Sequence, residues 1–258
     1  MQILDALSVV LPEGIGAPAG ALLVVASFFT SALTAAFGVG GGVAMLALLG
    51  LFIPVAALIP VHGAIQLGSN TGRAWEQRVH IVREIAGPFI AGSVVGAVAG
   101  AFFVVQLPDA VLKLALGLFV IAIIWVKIPG TAQLSHAGLA IGSSVLALLG
   151  MFLGATGPLL SAFFAQLIPD NRKALIATHA AGMTVQHALK VIAFAIAGFA
   201  FAQWLPFILA MVCSGYLGTL YGTRLLEKLP EKTFRRWFRI GLTLLALDLV
   251  RRGLMGLF

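Results

Sequence analysis

The stretch Val61–Trp75 reads VHGAIQLGSNTGRAW and carries His62, Gln66, Ser69, Asn70 and Arg73 in an otherwise apolar chain. Counted from His62, the later members fall at i+4, i+7, i+8 and i+11, which places all five on one face of a helix. Thr178–Val191, THAAGMTVQHALKV, repeats the arrangement with His179, Gln186, His187 and Lys190. Each stripe opens on a histidine and closes on a cation. Two polar stripes in an apolar chain predict a helical membrane protein in which the other segments bring the stripes together.

The composition supports that class. Of 258 residues, 60% are apolar and only 10% are charged, against about 25% charged in soluble domains. Mean hydropathy is +1.08. The apolar runs are long rather than alternating, so the spans are helices and not barrel strands. The net charge of +7 does not point to nucleic acid, because the basic residues gather at the ends of apolar segments, where they orient a protein in its bilayer. The single cysteine, Cys213, excludes an intrachain disulfide and a cysteine-only metal cluster. The N-terminus, MQILDALSVVLPEGIGAP, lacks the basic region of a signal peptide.

The apolar segments fall near Ala19–Phe37, Val43–Ile59, Pro60–Trp75, Ile85–Val105, Ala110–Val126, Ala137–Phe152, Pro158–Ile168, Ala174–Phe199, Gln203–Leu220 and Ile240–Val250, with a basic loop around 224–239. Several are too short to span as helices. Short, glycine-flanked segments at matching places in two halves point to discontinuous helices. The halves do match: FGVGGG at 37–42 with LGATGP at 153–158, FIP at 52–54 with LIP at 167–169, His62 with His179, Arg73 with Lys190, PFI at 88–90 with PFI at 206–208, and LPDAVLK at 107–113 with LPEKTFR at 229–235. This is an internal duplication, residues 1–127 and 134–258, joined near Lys127–Gln133. A short hairpin plus three further segments is an odd number of crossings, so the second copy is expected to be inverted. The expected fold is an all-α polytopic membrane protein of two inverted-topology repeats, each with a short or re-entrant, glycine-broken helical hairpin. The total is seven to ten spans. With Glu76–Glu84 cytoplasmic, Lys127, Arg172, Lys173 and the Arg224–Arg239 cluster share that side. Arg251 and Arg252 fall outside, against the rule.

Lys190 is the sharpest chemical signal. It lies deep in an apolar run with no carboxylate in helical reach, at a cost of at least ~2.5–3.5 kcal/mol unless it faces a partner or a wet cavity. It is a cation for an anionic substrate, or else a snorkelling side chain. Arg73 takes the same role by repeat symmetry, with a planar fork suited to oxyanions, or else anchors the interface. Ser69, Asn70, Gln186 and His187 precede the cations by a turn and are hydrogen-bond donors to an oxyanion, or packing glue. His62 and His179 are proton carriers or neutral rings bonded to backbone carbonyls, the second reading being favoured. Their spacing matches no helical zinc motif, and no metal or cofactor is expected. Gly40 and Gly41 in the first turn leave backbone amides open at a helix N-terminus, as an anion site does. In the second turn the Thr156 hydroxyl stands in for part of that role. Gly92, Gly96 and Gly100 permit a close helix contact, within a protomer or in a homodimer.

With duplicated halves, GVGGG at 38–42, FIP or LIP after it and then a small-residue helix, the chain resembles the sulfite exporter TauE/SafE family, of 4-toluene sulfonate uptake permease-like membrane transporters. The likeness runs over about residues 19–250, with Thr156 where a glycine is more usual. It implies a multi-pass secondary transporter of the bacterial inner membrane for sulfite or organosulfonates. The residues themselves, two cations and two glycine turns in a carboxylate-poor core, also ask for a small anion between the repeats. A channel-like anion conduit is the nearest alternative. A cation or metal transporter using the five histidines fits poorly with buried Lys190, and an intramembrane enzyme lacks a nucleophile–base set.

Overall fold

The computed structural model describes residues 11–12, 15–37, 40–104, 108–125, 135–168, 171–225 and 231–256. Among them there are ten α-helices and no strand. The first half holds α1 (Ala17–Phe37), α2 (Gly41–Phe52), α3 (Val55–Glu76), α4 (Ala86–Val104) and α5 (Asp109–Trp125). Two 3-10 turns, Arg78–His80 and Arg83–Ile85, precede α4. The second half holds α6 (His136–Leu153), α7 (Gly157–Leu167), α8 (Arg172–Ile196), α9 (Phe201–Leu225) and α10 (Glu231–Met255).

Two segment boundaries differ from the sequence reading. The break after the first short helix falls at Ile53–Pro54, not at Pro60. Ile53 is extended, at φ −113 and ψ 152, because a residue before proline is pushed out of the helical region. Pro60 then lies inside α3. There its missing N–H is tolerated, as membrane helices often tolerate it. The second difference is α10, which begins at Glu231 instead of Ile240 and takes in most of the expected basic loop. Pro230 just ahead and an acidic residue in the first turn favour a helix start. The linker Lys127–Gln133 lies outside the described residues.

Four stretches are long and apolar enough to cross a membrane: Ala17–Ala36, Arg83–Phe102, His136–Leu153 and Phe201–Gly222. They correspond to α1, α4, α6 and α9. The stripe helices α3 and α8 have 22 and 25 residues, roughly 33 and 38 Å at 1.5 Å per residue. Their length would suffice, but the stripes make them more polar. The helices α2 and α7, with 12 and 11 residues, reach only roughly 17–18 Å, against a hydrocarbon core of about 30 Å.

The most extensive contacts join the halves. Helix α4 packs on α6, α1 on α9, α5 on α10 and α3 on α8. Exchanging the two halves leaves this set of pairs unchanged. Small residues set the distance, as expected where apolar packing against lipid offers no net gain. A Cβ at Gly96 would lie 1.9 Å from the Ser144 carbonyl oxygen, and one at Gly218 would lie 2.0 Å from that of Phe28. The face bearing Gly92 and Gly96 is therefore filled inside the protomer, by α6. Serines lock the α1–α9 pair in both directions. The Ser27 hydroxyl donates to the Met211 carbonyl at 2.7 Å, and the Ser214 hydroxyl to that of Val24 at 2.6 Å.

The polar pattern is inside-out. Exposed apolar side chains such as Val95, Phe102, Ile141, Val145 and Leu209 cover the outer helices, whereas His62, Asn70, Arg73, His179, His187 and Lys190 are buried. Arg251 and Arg252, which offended the charge rule, share one counter-ion. Asp248 lies 2.7 Å from Arg251 and 2.8 Å from Arg252.

Candidate functional site

Helical periodicity puts the stripe residues on one face of α3 and one face of α8, and the packing turns those faces together. The His62 and His187 rings meet edge to face, with centroids 5.9 Å apart. Next to them Gly63 gives passage to the Lys190 stem: a Cβ there would lie 2.9 Å from Lys190 Cδ. At the other end Arg73 and His179 line one cavity. The stripes thus cross antiparallel, the opening histidine of each beside the closing cation of the other.

Each opening histidine also ties down the short helix of its own half. His62 Nε2 donates to the Gly42 carbonyl at 2.9 Å, and His179 Nε2 donates to the Gly157 carbonyl at 2.9 Å. A carbonyl only accepts, so both rings carry a proton on Nε2. Gly42 and Gly157 both lie in the first turn of their short helices. The two contacts are equivalent in the two halves, and they fix the glycine turns against the stripes.

Between the turns and the stripes lies a small cavity. Arg73, Asn70, Gln66 and His62 reach it from α3, and His179 and His187 from α8. Gly40, Gly42, Gly157 and Pro158 reach it from the starts of α2 and α7. Among the described residues no carboxylate lines it. Arg73 is 3% exposed. Its Nη2 donates to Asn70 Oδ1 at 2.8 Å, and its Nε has no partner. Asn70 Nδ2 donates in turn to the Gln66 carbonyl at 2.7 Å and to Gln66 Oε1 at 3.3 Å. That order of donors and acceptors leaves Gln66 Nε2 as a donor at the wall. Gly40 precedes α2 at φ 107, a region that favours glycine. Neither α2 nor α7 has a side-chain cap, so each start carries a partial positive charge, although Pro158 in the first turn of α7 has no N–H to offer.

Of the residues singled out in the sequence, Arg73, Asn70, His62, His179, His187 and Gly40 line this cavity, and five do not. Lys190 Nζ donates to the Gly154 carbonyl at 2.6 Å, at the C-terminal end of α6. The Ser69 hydroxyl faces that of Ser31 at 3.4 Å. Gln186 Nε2 donates to the Ser93 hydroxyl at 3.4 Å. Gly41 packs against the backbone of α1, where a Cβ would lie 1.8 Å from the Thr30 oxygen. Thr156 is buried beside Gly150. Gly38 and Val39 lie outside the described residues. Thr34, read in the sequence as lining a path or bonding to a carbonyl one turn back, lines the cavity and also donates to the Thr30 carbonyl, and Gln66 is a wall residue to which the sequence reading gave no role. Gln66 stood in the stripe at i+4, and that periodicity was the signal that could have promoted it.

The sulfite exporter TauE/SafE family matches residues 15–249. The chain belongs to that family. Neither the curated proteins nor the solved structures include a match. As a TauE/SafE member with four helices apolar enough to span, the protein is a multi-pass membrane protein of a transporter family. The match covers both short helices, both stripes and the cavity between them.

Proposed function

We propose that this TauE/SafE protein is a secondary transporter of the bacterial inner membrane for a small sulfur-containing anion, sulfite or an organosulfonate, bound between the two stripes. One observation carries the reading. Arg73 is a buried guanidinium with no carboxylate partner among the described residues; it lines the cavity and has an unpartnered Nε. A buried charge without a counter-ion costs several kcal/mol, and an anion in the cavity would offset that cost. The starts of α2 and α7 add two helix N-termini on the same space. Asn70 orients the guanidinium, and Gln66 and His187 complete the polar wall. Ser69, Gln186, Gly41 and Thr156 act one layer out, by holding helices in register.

Lys190 has a different part in this proposal. It braces the α6 end of the second glycine turn and leaves Arg73 as the cation at the cargo. The two halves, 1–127 and 134–258, are read as inverted repeats, supported by the antiparallel stripes and by helix pairs that persist when the halves are exchanged. The short helices would be half-depth hairpins. Transport would proceed by rocking of one repeat against the other at the α3–α8 crossing, and the reading includes no catalysis. His62 and His179 are the sites for any proton coupling. If that holds, His62→Gln or His179→Gln abolishes dependence on a pH gradient and spares binding of a sulfonate without a donor, such as methanesulfonate. Retained coupling in both variants refutes it.

The test is a thermal-shift panel on detergent-purified protein with sulfite, sulfate, thiosulfate, sulfonates, carboxylates and divalent metals. Stabilisation by sulfur anions that disappears in Arg73→Ala supports the site. Stabilisation by metals alone, or anion effects indifferent to Arg73, defeats it. In proteoliposomes, saturable counterflow separates a transporter from a channel-like conduit.

A further inference from the structure

We infer that the cavity selects a singly charged anion that also carries a proton donor of its own, rather than a fully ionised dianion. The inference rests on the anion-site reading of the same cavity and narrows its substrate class. Two observations beyond that reading lead to it.

The first is a count of charge. Two cations, Arg73 and Lys190, lie near the crossing of the stripes, but only Arg73 lines the cavity. Lys190 Nζ is committed to the Gly154 carbonyl at 2.6 Å. There the C-terminal end of α6, with a partial charge near −0.5 at such an end, answers much of its charge. Among the described residues the lining has no carboxylate and one guanidinium. One negative charge balances it, and a second would be buried without a partner.

The second is a vacancy of the opposite polarity. His62 Nε2 is spent as a donor on the Gly42 carbonyl. In its neutral form the ring presents a lone pair at Nδ1, and that atom is buried without a partner. His187, edge-on to it, has a buried and unpartnered Nδ1 as well. Arg73, which lines the same cavity, has an unpartnered donor at Nε. A cargo made of acceptor oxygens alone answers the arginine and leaves the histidine lone pair empty. A cargo with oxygens at one end and an O–H or N–H at the other answers both. Hydrogen sulfite has this character, and so does a sulfonate with a hydroxyl or amino group next to its anion; sulfate does not.

The ionisable groups facing the cavity or its floor are His62, Arg73, His179, His187 and Lys190. A pH scan of sulfite alone would titrate cargo and protein together. The experiment therefore holds pH fixed, above the ordinary histidine pKa of about 6.5, and varies the ligand. Calorimetric affinities for the full chain in detergent are measured with three probes: hydroxymethanesulfonate, methanesulfonate and sulfate. The expected order is hydroxymethanesulfonate tightest, methanesulfonate about tenfold weaker, the worth of one buried hydrogen bond to an otherwise unpartnered atom, and sulfate weakest. In His62→Phe the preference for the hydroxylated sulfonate is expected to shrink. Equal affinity for the two sulfonates overturns the donor requirement. Sulfate binding as tightly as methanesulfonate overturns the charge count. If none of the three binds, or all bind Arg73→Gln as they bind wild type, the underlying anion site is wrong and this inference goes with it.

Discussion

Arg73 and Lys190 end matching stripes at matching places in the two halves, yet their surroundings differ. Arg73 has one side-chain partner, Asn70, lines the cavity and keeps an unpartnered Nε. Lys190 passes over Gly63 and donates to the Gly154 carbonyl. The turns differ as well. In the first, Gly41 packs on the α1 backbone so closely that no side chain fits, while Gly157 in the second has only ordinary contacts, the nearest being His179 Nε2 at 3.7 Å from an added Cβ. Matching stretches of sequence therefore need not find matching surroundings. One half sets its cation at the cavity and has a tight turn; the other ties its cation to a backbone carbonyl and has a looser one.

The largest expected effect tests the turns. Gly41→Ala would place a methyl 1.8 Å from the Thr30 oxygen. Overpacking of backbone on backbone should cost about 3 kcal/mol or more, read as lost yield or a much lower melting temperature. Gly157→Ala should fall within about 1 kcal/mol of wild type. Equal losses would erase the difference between the turns.

The cations come next. Arg73→Gln should weaken sulfonate binding about 100-fold, the size of one or two charged hydrogen bonds, and leave the ligand-free melting temperature nearly unchanged, because a buried unpaired charge is removed with it. Lys190→Met keeps the stem and loses the donor. It should lower ligand-free stability by about 1–3 kcal/mol by leaving the Gly154 carbonyl unpaired, while most of the sulfonate response survives. The reverse pattern would exchange their roles.

Smaller effects sharpen the same contrast. Gly63→Ala presses on Lys190 Cδ at 2.9 Å and should cost about 1 kcal/mol in thermal melts, with little change in anion affinity. Gly42→Ala meets only the Gln66 amide, at 3.3 Å. A displacement of that size should change sulfonate affinity a few-fold, the worth of one neutral hydrogen bond of about 1 kcal/mol, with stability nearly unaltered. A change confined to stability would move Gln66 off the cargo.

Much of this was legible in the residues because it follows from periodicity and composition. The stripes, the shortness of the helices after each glycine turn, the membrane class and the family all depend on local spacing. The helix break at Pro54 was legible in principle, since the residue before a proline leaves the helical region, but Pro60 offered the same signal six residues on. The partner of Lys190 was not legible. Gly154 lies 36 residues away, and a backbone carbonyl leaves no mark in a sequence of side chains. The pairings of α1 with α9 and α4 with α6 were equally hidden, because a small-residue face states that something packs closely without stating what.

The sequence by itself determined that the chain is a helical membrane protein, that its two halves carry matching stretches, and that each half sets a histidine and a cation eleven residues apart on one helix face. Those are properties of short windows, where helix geometry converts spacing into direction. Only the tertiary structure decided which cation meets the cavity, because that depends on the antiparallel crossing of two helices more than one hundred residues apart. The crossing is set by the interlocking of outer helices from opposite halves. It brings Lys190 to the end of α6, where a carbonyl already carries partial negative charge, and leaves Arg73 in the acid-free space between the turns.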